Sequence, residues 1–195
     1  MRARSHAPIG LIRRSDVAGP PDLYAAYGSN LLPVRLQRRT PSARFLGCAA
    51  LPGHQLAFGK RGQDGSGKCW LRRDDTATAQ VAVFEVARVD RQALDRFEGL
   101  GDGYERELVD LQLADGRWQG RRVSAYVYMA TPSAIDEALR PFDWYRDLVL
   151  AGARHHRFAT SLVRWLGGLP VAIDADRARQ LAARDLLAGP PDLHG

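Results

Sequence analysis

Cysteine is scarce in this 195-residue chain, with only Cys48 and Cys69, too few for a disulfide framework. Two buried or semi-buried reduced thiols are therefore expected. No apolar run approaches the length of a membrane span. The basic first twenty residues hold one apolar cluster, Ile9 to Ile12, which Gly10 interrupts and which is too short for the core of a secretory signal. These absences lead to the expectation of a cytoplasmic protein with no membrane partner. Lysine is also scarce beside arginine. Together they number 28 against 22 Asp and Glu, a net charge of +6. So modest an excess helps draw anionic substrates. Without an aromatic or glycine-rich binding motif it gives no reason to expect nucleic acid. There is no HxxxH and no clustered acid. His155 and His156 are neighbours and would point about 100 degrees apart on a helix, so no metal is expected.

The length suits one domain with a real core. Pro8, Gly10, Gly19, Pro20 and Pro21 sit among charges, so residues 1–20 read as a mobile arm, with a domain over 21–188 and a tail over 189–195. Gly62 to Cys69, GQDGSGKC, nearly spells a phosphate-binding loop. Its last position is Cys69 where Ser or Thr must hold magnesium, and no amphipathic helix follows. A flexible glycine loop over a site or on the surface is expected instead.

Around Tyr24-Ala25-Ala26-Tyr27-Gly28-Ser29-Asn30-Leu31 the argument becomes chemical. Leu23 to Tyr27 reads as a buried strand that stops at Gly28, where glycine permits backbone angles closed to other residues. Ser29 or Asn30 is expected to cap a short helix with Pro33 in its first turn. Strand, turn and helix start together make a nest of free N–H groups suited to a carboxylate or an oxyanion. Downstream, Asp90 is expected to cap a helix over Arg91 to Glu98 that Gly99 ends. Glu98 lies about 40 degrees round from Leu94. That puts a carboxylate at the edge of the core-facing stripe, where loss of water disfavours its charge.

Other segments read as alternating strands and short helices, giving an α+β fold. Phe45 to Leu51 and His54 to Phe58 suggest a hairpin about Pro52-Gly53. Gln80 to Val86 is a strand, and Tyr104 to Gln112 with Trp118 to Met129 forms a second hairpin. Ser133 to Leu139 reads as a short helix. Asp143 would cap a helix from Trp144 that continues past His155 into Phe158 to Leu166, and Asp174 to Leu187 is the last helix.

The YGSN strand end, the Glu98-Gly99 pair in FEGLGDGY and Tyr145 in DWYRDLVLAGARHH occur in the order and spacing of one family. The chain resembles the gamma-glutamylcyclotransferase-like proteins over roughly residues 22 to 170. The resemblance implies a small, partly closed β-barrel or strongly bent mixed sheet with helices around it. It implies cleavage of a small-molecule γ-glutamyl amide by its own α-amine, releasing 5-oxoproline and the free amine without a cofactor. Glu98 would be general base and acid. Tyr24, Ala25, Ala26, Tyr27, Gly28, Ser29 and Tyr145 would line the substrate. Two competing readings are a non-catalytic binding member of the same fold and a hydrolase or acyl transferase using an external nucleophile. Ser29 would be the nucleophile of the second, but neither GxSxG nor a matched His and Asp accompanies it.

Overall fold

The computed structural model describes residues 20–188; the expected tail and all but Pro20 of the expected arm lie outside them. Five strands form one sheet in the order β2-β3-β1-β5-β4: β1 (Asp22–Ala26), β2 (Arg44–Arg61), β3 (Gly67–Val86), β4 (Tyr104–Gln112) and β5 (Arg122–Ala130). Neighbours run antiparallel except β1 and β5, which are parallel at Tyr24 and Tyr126. Central β1 is apolar on both faces because both are covered. The sheet edges meet where Ala49 bridges Leu113 and the Ala114 N–H donates to the Cys48 carbonyl at 2.7 Å. The α+β fold with a bent, partly closed sheet is thus as expected.

Among the described residues five helices surround it: α1 (Pro33–Arg39), α2 (Arg88–Glu98), α3 (Asp143–His155), α4 (Thr160–Gly167) and α5 (Arg177–Ala188). A 3-10 turn over Ser29–Leu31 joins β1 to α1. The main core gathers Tyr24, Leu31, Leu36, Val81, Phe84, Leu94, Val127 and Val149. A smaller cluster of Leu148, Ala183 and Leu186 seats α5 on α3. Among the described residues no helix is long and apolar enough to cross a membrane.

Several local expectations are corrected, mostly where tertiary hydrogen bonds outcompete local ones. The stretch 45–58 is not a hairpin. Pro52-Gly53 lies at a bulge in one long edge strand, because both halves of β2 find partners along the equally long β3. The true hairpin turn is the 62–66 glycine loop. There Asp64 accepts the Ser66 N–H at 3.0 Å and pairs with Lys68 at 2.6 Å, so the near-miss phosphate loop is a strand connection. Trp118 belongs to the turn before β5. Over 133–139 only a 3-10 turn (Pro132–Ala134) forms. The chain there bonds the hairpin instead, with Asp136 N–H to the Gly59 carbonyl at 2.8 Å. Helices α3 and α4 are separate, since Arg157 at φ 54 turns the chain and Phe158 is buried.

The expected caps shift as well. Leu32, not Ser29 or Asn30, precedes α1, and Phe142 precedes α3. Helix α2 starts at Arg88 after Ala87. Asp90 sits in its first turn and accepts the Ser42 N–H at 2.9 Å, while the Ala87 N–H donates to the Ser42 hydroxyl. Asp174 precedes α5, and Asp176 accepts the N–H groups of Ala178 and Arg179 in the manner of an N-cap. The left-handed Gly99 (φ 71) does end α2 as read from the sequence.

Leu94 is the buried residue of α2 and is 0 % exposed, one turn before Glu98. Leu94→Ala is expected to cost about 2–5 kcal/mol of stability, measured as a lowered urea midpoint at unchanged slope. An unshifted midpoint would show that α2 is held by something other than this side chain.

Candidate active site

The residues after β1 meet the end of α2 across a small chamber of about 20 Å³ lined by Tyr24, Tyr27, Gly28, Ser29, Asn30, Cys69, Glu98, Tyr104, Tyr128 and Tyr145. That is room for about one water-sized group. It shares Ser29, Glu98, Tyr104 and Tyr145 with an outer cleft of about 940 Å³, which adds Arg35, Arg39, Lys60 and Lys68 to its walls. Of the residues singled out from sequence, Tyr24, Tyr27, Gly28, Ser29, Glu98 and Tyr145 come together here. Ala25 and Ala26 do not line the chamber. They are 0 % exposed inside β1, paired with Val83 and Ala82 of β3.

Glu98 is one-fifth exposed at its side chain. Its setting is polar, unlike the apolar edge anticipated. Asn30 Nδ2 donates to Oε1 at 2.8 Å and Arg39 Nη1 donates to the same oxygen at 3.0 Å. Both bonds fall on Oε1. Among the described residues Oε2 has no donor, and it remains available to a ligand. Arg39 also bonds Asn30 Oδ1 at 3.0 Å and lies over the Phe97 ring.

The nest exists, but glycine suits it for a different reason than expected. Gly28 has φ −105, outside the left-handed region. A Cβ there would stand 3.3 Å from the Cys69 Cβ and 3.4 Å from the Tyr145 hydroxyl, a tight fit in which those neighbours would have to give by a few tenths of an ångström. Among the described residues the N–H groups of Gly28 and Ser29 meet no acceptor, while the Gly28 carbonyl receives Leu31 N–H at 2.9 Å.

Hydroxyl groups divide between scaffold and site. Tyr27 donates to the Tyr128 carbonyl and Tyr104 to the Cys69 carbonyl, so these rings are walls. Tyr24 accepts Asn30 Nδ2 at 3.1 Å, and Tyr145 accepts the Cys69 N–H at 3.2 Å, which leaves each phenol its own proton to donate. Burial, reinforced by nearby acidic groups, raises all four phenols well above their ordinary value. They stay neutral. Burial likewise pushes the Cys69 thiol up to about 12, so it is no thiolate nucleophile at neutral pH. Both cysteines are free and buried. Ser29 Oγ accepts Arg35 Nε at 3.0 Å. Among the described residues no histidine or carboxylate touches it, which leaves it unactivated. Arg35 is lowered to about 10 by burial and by Arg39, and is still a cation. Among the described residues no cluster of three His, Cys, Asp or Glu could hold a metal.

The sequence reading missed Asn30 as a site residue in its own right, and Arg35, Arg39, Cys69, Tyr104 and Tyr128. Asn30 stood inside the motif. The arginines stood on α1 with no spacing to single them out among Arg35, Arg38 and Arg39.

A model of the gamma-glutamyl cyclotransferase, AIG2-like family matches residues 24–146, a stretch that carries both halves of this chamber. The chain belongs to that family. It is 27% identical over 150 residues to the gamma-glutamylcyclotransferase of Homo sapiens, covering 72% of this chain and 76% of that protein. It is 26% identical over 140 residues to the Bos taurus protein of the same name, covering 69% and 71%. Among solved structures, one named gamma-glutamyl cyclotransferase superposes with a TM-score of 0.72 at 22% identity, covering 84% of this chain and 98% of that one. This cyclotransferase-family chain therefore shares the fold of that structure.

His156 braces the chamber from behind. Its Nε2–H donates to the Leu31 carbonyl at 2.8 Å, and its ring lies against Phe45 and Phe84. Burial lowers its pKa from the ordinary 6.5, only partly offset by that carbonyl. The unfolded chain thus takes up the proton more readily, so this contribution is complete above about pH 6.5 and is lost as pH falls below it. His156→Gln keeps a donor but cannot titrate. Between about pH 7.5 and 5.5 its urea midpoint is expected to fall less steeply than that of the native chain. Parallel slopes would remove His156 as the source.

Proposed function

We propose that this protein cleaves a γ-glutamyl amide to 5-oxoproline and a free amine, with Glu98 as general base and then general acid. The observation that carries the reading is the one-sided grip on Glu98. Asn30 and Arg39 hold Oε1, which leaves Oε2 without a donor among the described residues, and Glu98 lines the same chamber as Gly28 and Ser29, whose N–H groups meet no acceptor there.

The small chamber suits one anionic oxygen of the substrate, either the α-carboxylate or the carbonyl oxygen as it becomes an oxyanion, held by those two amides. The rest of the glutamyl chain lies at the mouth of the cleft between Tyr24 and Tyr145. Its α-ammonium gives a proton to Glu98 Oε2, and the freed amine attacks the γ-carbonyl carbon. That closes a five-membered ring through a tetrahedral intermediate. As the C–N bond to the leaving amine breaks, Glu98 returns the proton to that nitrogen. The ring nitrogen sheds its second proton to leave the neutral lactam, and the departing amine takes up that proton in water. Nucleophile and electrophile are tethered in one molecule, which supplies the proximity a bimolecular reaction would have to find. The family membership and the names of the curated relatives support this chemistry over a purely binding role. The unactivated Ser29 and the neutral Cys69 thiol speak against an external-nucleophile hydrolase.

Glu98→Gln keeps the acceptor for Asn30 and Arg39 but cannot take a proton. It is expected to bind substrate and to lose about 10²–10⁴-fold in the rate of 5-oxoproline release, followed by mass spectrometry. Full activity would eliminate Glu98 from the mechanism. Tyr145→Phe removes the acceptor of the Cys69 N–H and a donor in the site. It should raise KM by about tenfold or less with a smaller effect on kcat; a collapse of kcat at unchanged KM would assign the hydroxyl to the chemical step.

A further inference from the structure

Arginine supplies nearly all the positive charge of this chain, and its two lysines, Lys60 and Lys68, both line the outer cleft. Lys68 is neutralised by Asp64 at 2.6 Å. Lys60 is not. It is 7 % exposed, with its Nζ 3.4 Å from the Asp102 carbonyl oxygen and 4.5 Å from the centre of the Tyr104 ring. Among the described residues no carboxylate reaches it as an ion pair. A buried ammonium without a counter-charge is costly, so its retention needs a reason. Burial lowers its pKa, while the charges of Asp102 and Glu98 oppose that shift from farther away.

The backbone is built around this side chain. A β-bulge falls between Phe58 and Lys60, with Gly59 at φ 129, and breaks the in-and-out alternation of β2 just where the lysine turns to the cleft. Across from it Gly103 sits at φ 98. A Cβ at that position would stand 2.8 Å from Lys60 Cε and 2.9 Å from its Nζ. Gly103 thus leaves the space that the ammonium occupies, while Gly59 makes room for the backbone of Asp136 and Glu137 beside the bulge.

Charge along the cleft extends the argument. Arg39 is matched by Glu98 and Lys68 by Asp64. Arg35, Lys60 and Arg96 line the cleft without an acid partner among the described residues. Arg35 stands at Ser29 beside the small chamber, where the α-carboxylate of a glutamyl group would lie. Lys60 lines only the outer cleft, on the side left for the departing amine.

Resting on the cyclotransferase reading above, we infer that Lys60 selects leaving amines that carry an anionic side group, a carboxylate or a phosphate, beyond the single α-carboxylate of a simple amino acid. Arg35, Lys60 and Arg96, with the Asp102 carboxylate offsetting part of their charge in the same wall, then meet the glutamyl carboxylate, the carboxylate of the leaving amino acid and its acidic side group.

Matched pairs of substrates test this. The purified full chain is assayed for 5-oxoproline from γ-glutamyl-glutamate against γ-glutamyl-glutamine, and from γ-glutamyl-O-phosphoserine against γ-glutamyl-serine. In at least one pair the charged member is expected to have about tenfold higher kcat/KM, carried by KM. Lys60→Met should bring that ratio to near one, and Lys60→Arg should keep part of it. Whichever pair shows the preference identifies carboxylate or phosphate. Ratios near one in the native protein, or a preference that survives Lys60→Met, overturn the inference while leaving cyclotransferase activity intact. Absence of 5-oxoproline from all four substrates defeats the cyclotransferase reading and this one with it. Should Lys60→Met fail to fold, the native ratios and the Lys60→Arg variant decide.

Discussion

Two donors converging on one carboxylate oxygen tie the site together. Asn30 comes from the turn after β1, Arg39 from the end of α1 and Glu98 from the last residue of α2, and all three side chains converge at Oε1 of Glu98. The guanidinium is itself fixed, held by Asn30 and stacked over Phe97. A carboxylate gripped on one side is oriented without being consumed, because its second oxygen keeps its lone pairs for a ligand. The 3-10 turn, the αL ending of α2 at Gly99 and the burial of Leu94 all serve to deliver these three side chains to one point.

Around that grip the chamber is otherwise chemically quiet. Five buried phenols and a buried thiol are held neutral by lack of water, so charge is confined to Glu98 and the arginines beside it. Tyr27 and Tyr104 spend their protons on backbone carbonyls and so stiffen the walls. Water exclusion of this kind strengthens whatever electrostatic contact a ligand makes with the free N–H groups of Gly28 and Ser29. Outside the chamber the balance reverses toward positive charge, with the cleft walls supplying cations that nearby acids only partly match.

Local order carried much of the fold in the sequence. The strand ending at Gly28, the strand before Val86, the β4 and β5 pair, the helix stopped by Gly99 and the helix beginning near Trp144 all have periodicity or punctuation that acts over a few residues. Three of the errors share one cause. Pro52-Gly53 looks like a turn until β3 offers partners on both sides of it. Residues 133–139 look helical until the Gly59 carbonyl claims the Asp136 N–H. Asp90 looks like a cap until Ser42, far away in sequence, takes its oxygen. In each case a non-local hydrogen bond replaced a local one of similar strength, and no window of sequence contains the competitor.

The candidate site divides along the same line. By itself the sequence determined the chemical parts: a strand that must stop at a glycine, a carboxylate placed by helical geometry on the inward side of α2, a tyrosine on an apolar helix, and thiols too few for a disulfide framework. Tertiary structure alone decided that Asn30 and Arg39 take the same oxygen of Glu98, that Gly28 packs tightly against Cys69 and Tyr145 without a left-handed torsion angle, and that Ala25 and Ala26 stay within the sheet. It also decided that Lys60 comes to rest in the space left by the distant Gly103. Residue type and short-range spacing fix what a side chain can do. Which partner it meets depends on how strands and helices separated by tens of residues close upon one another, and that is set by the packing of the whole core.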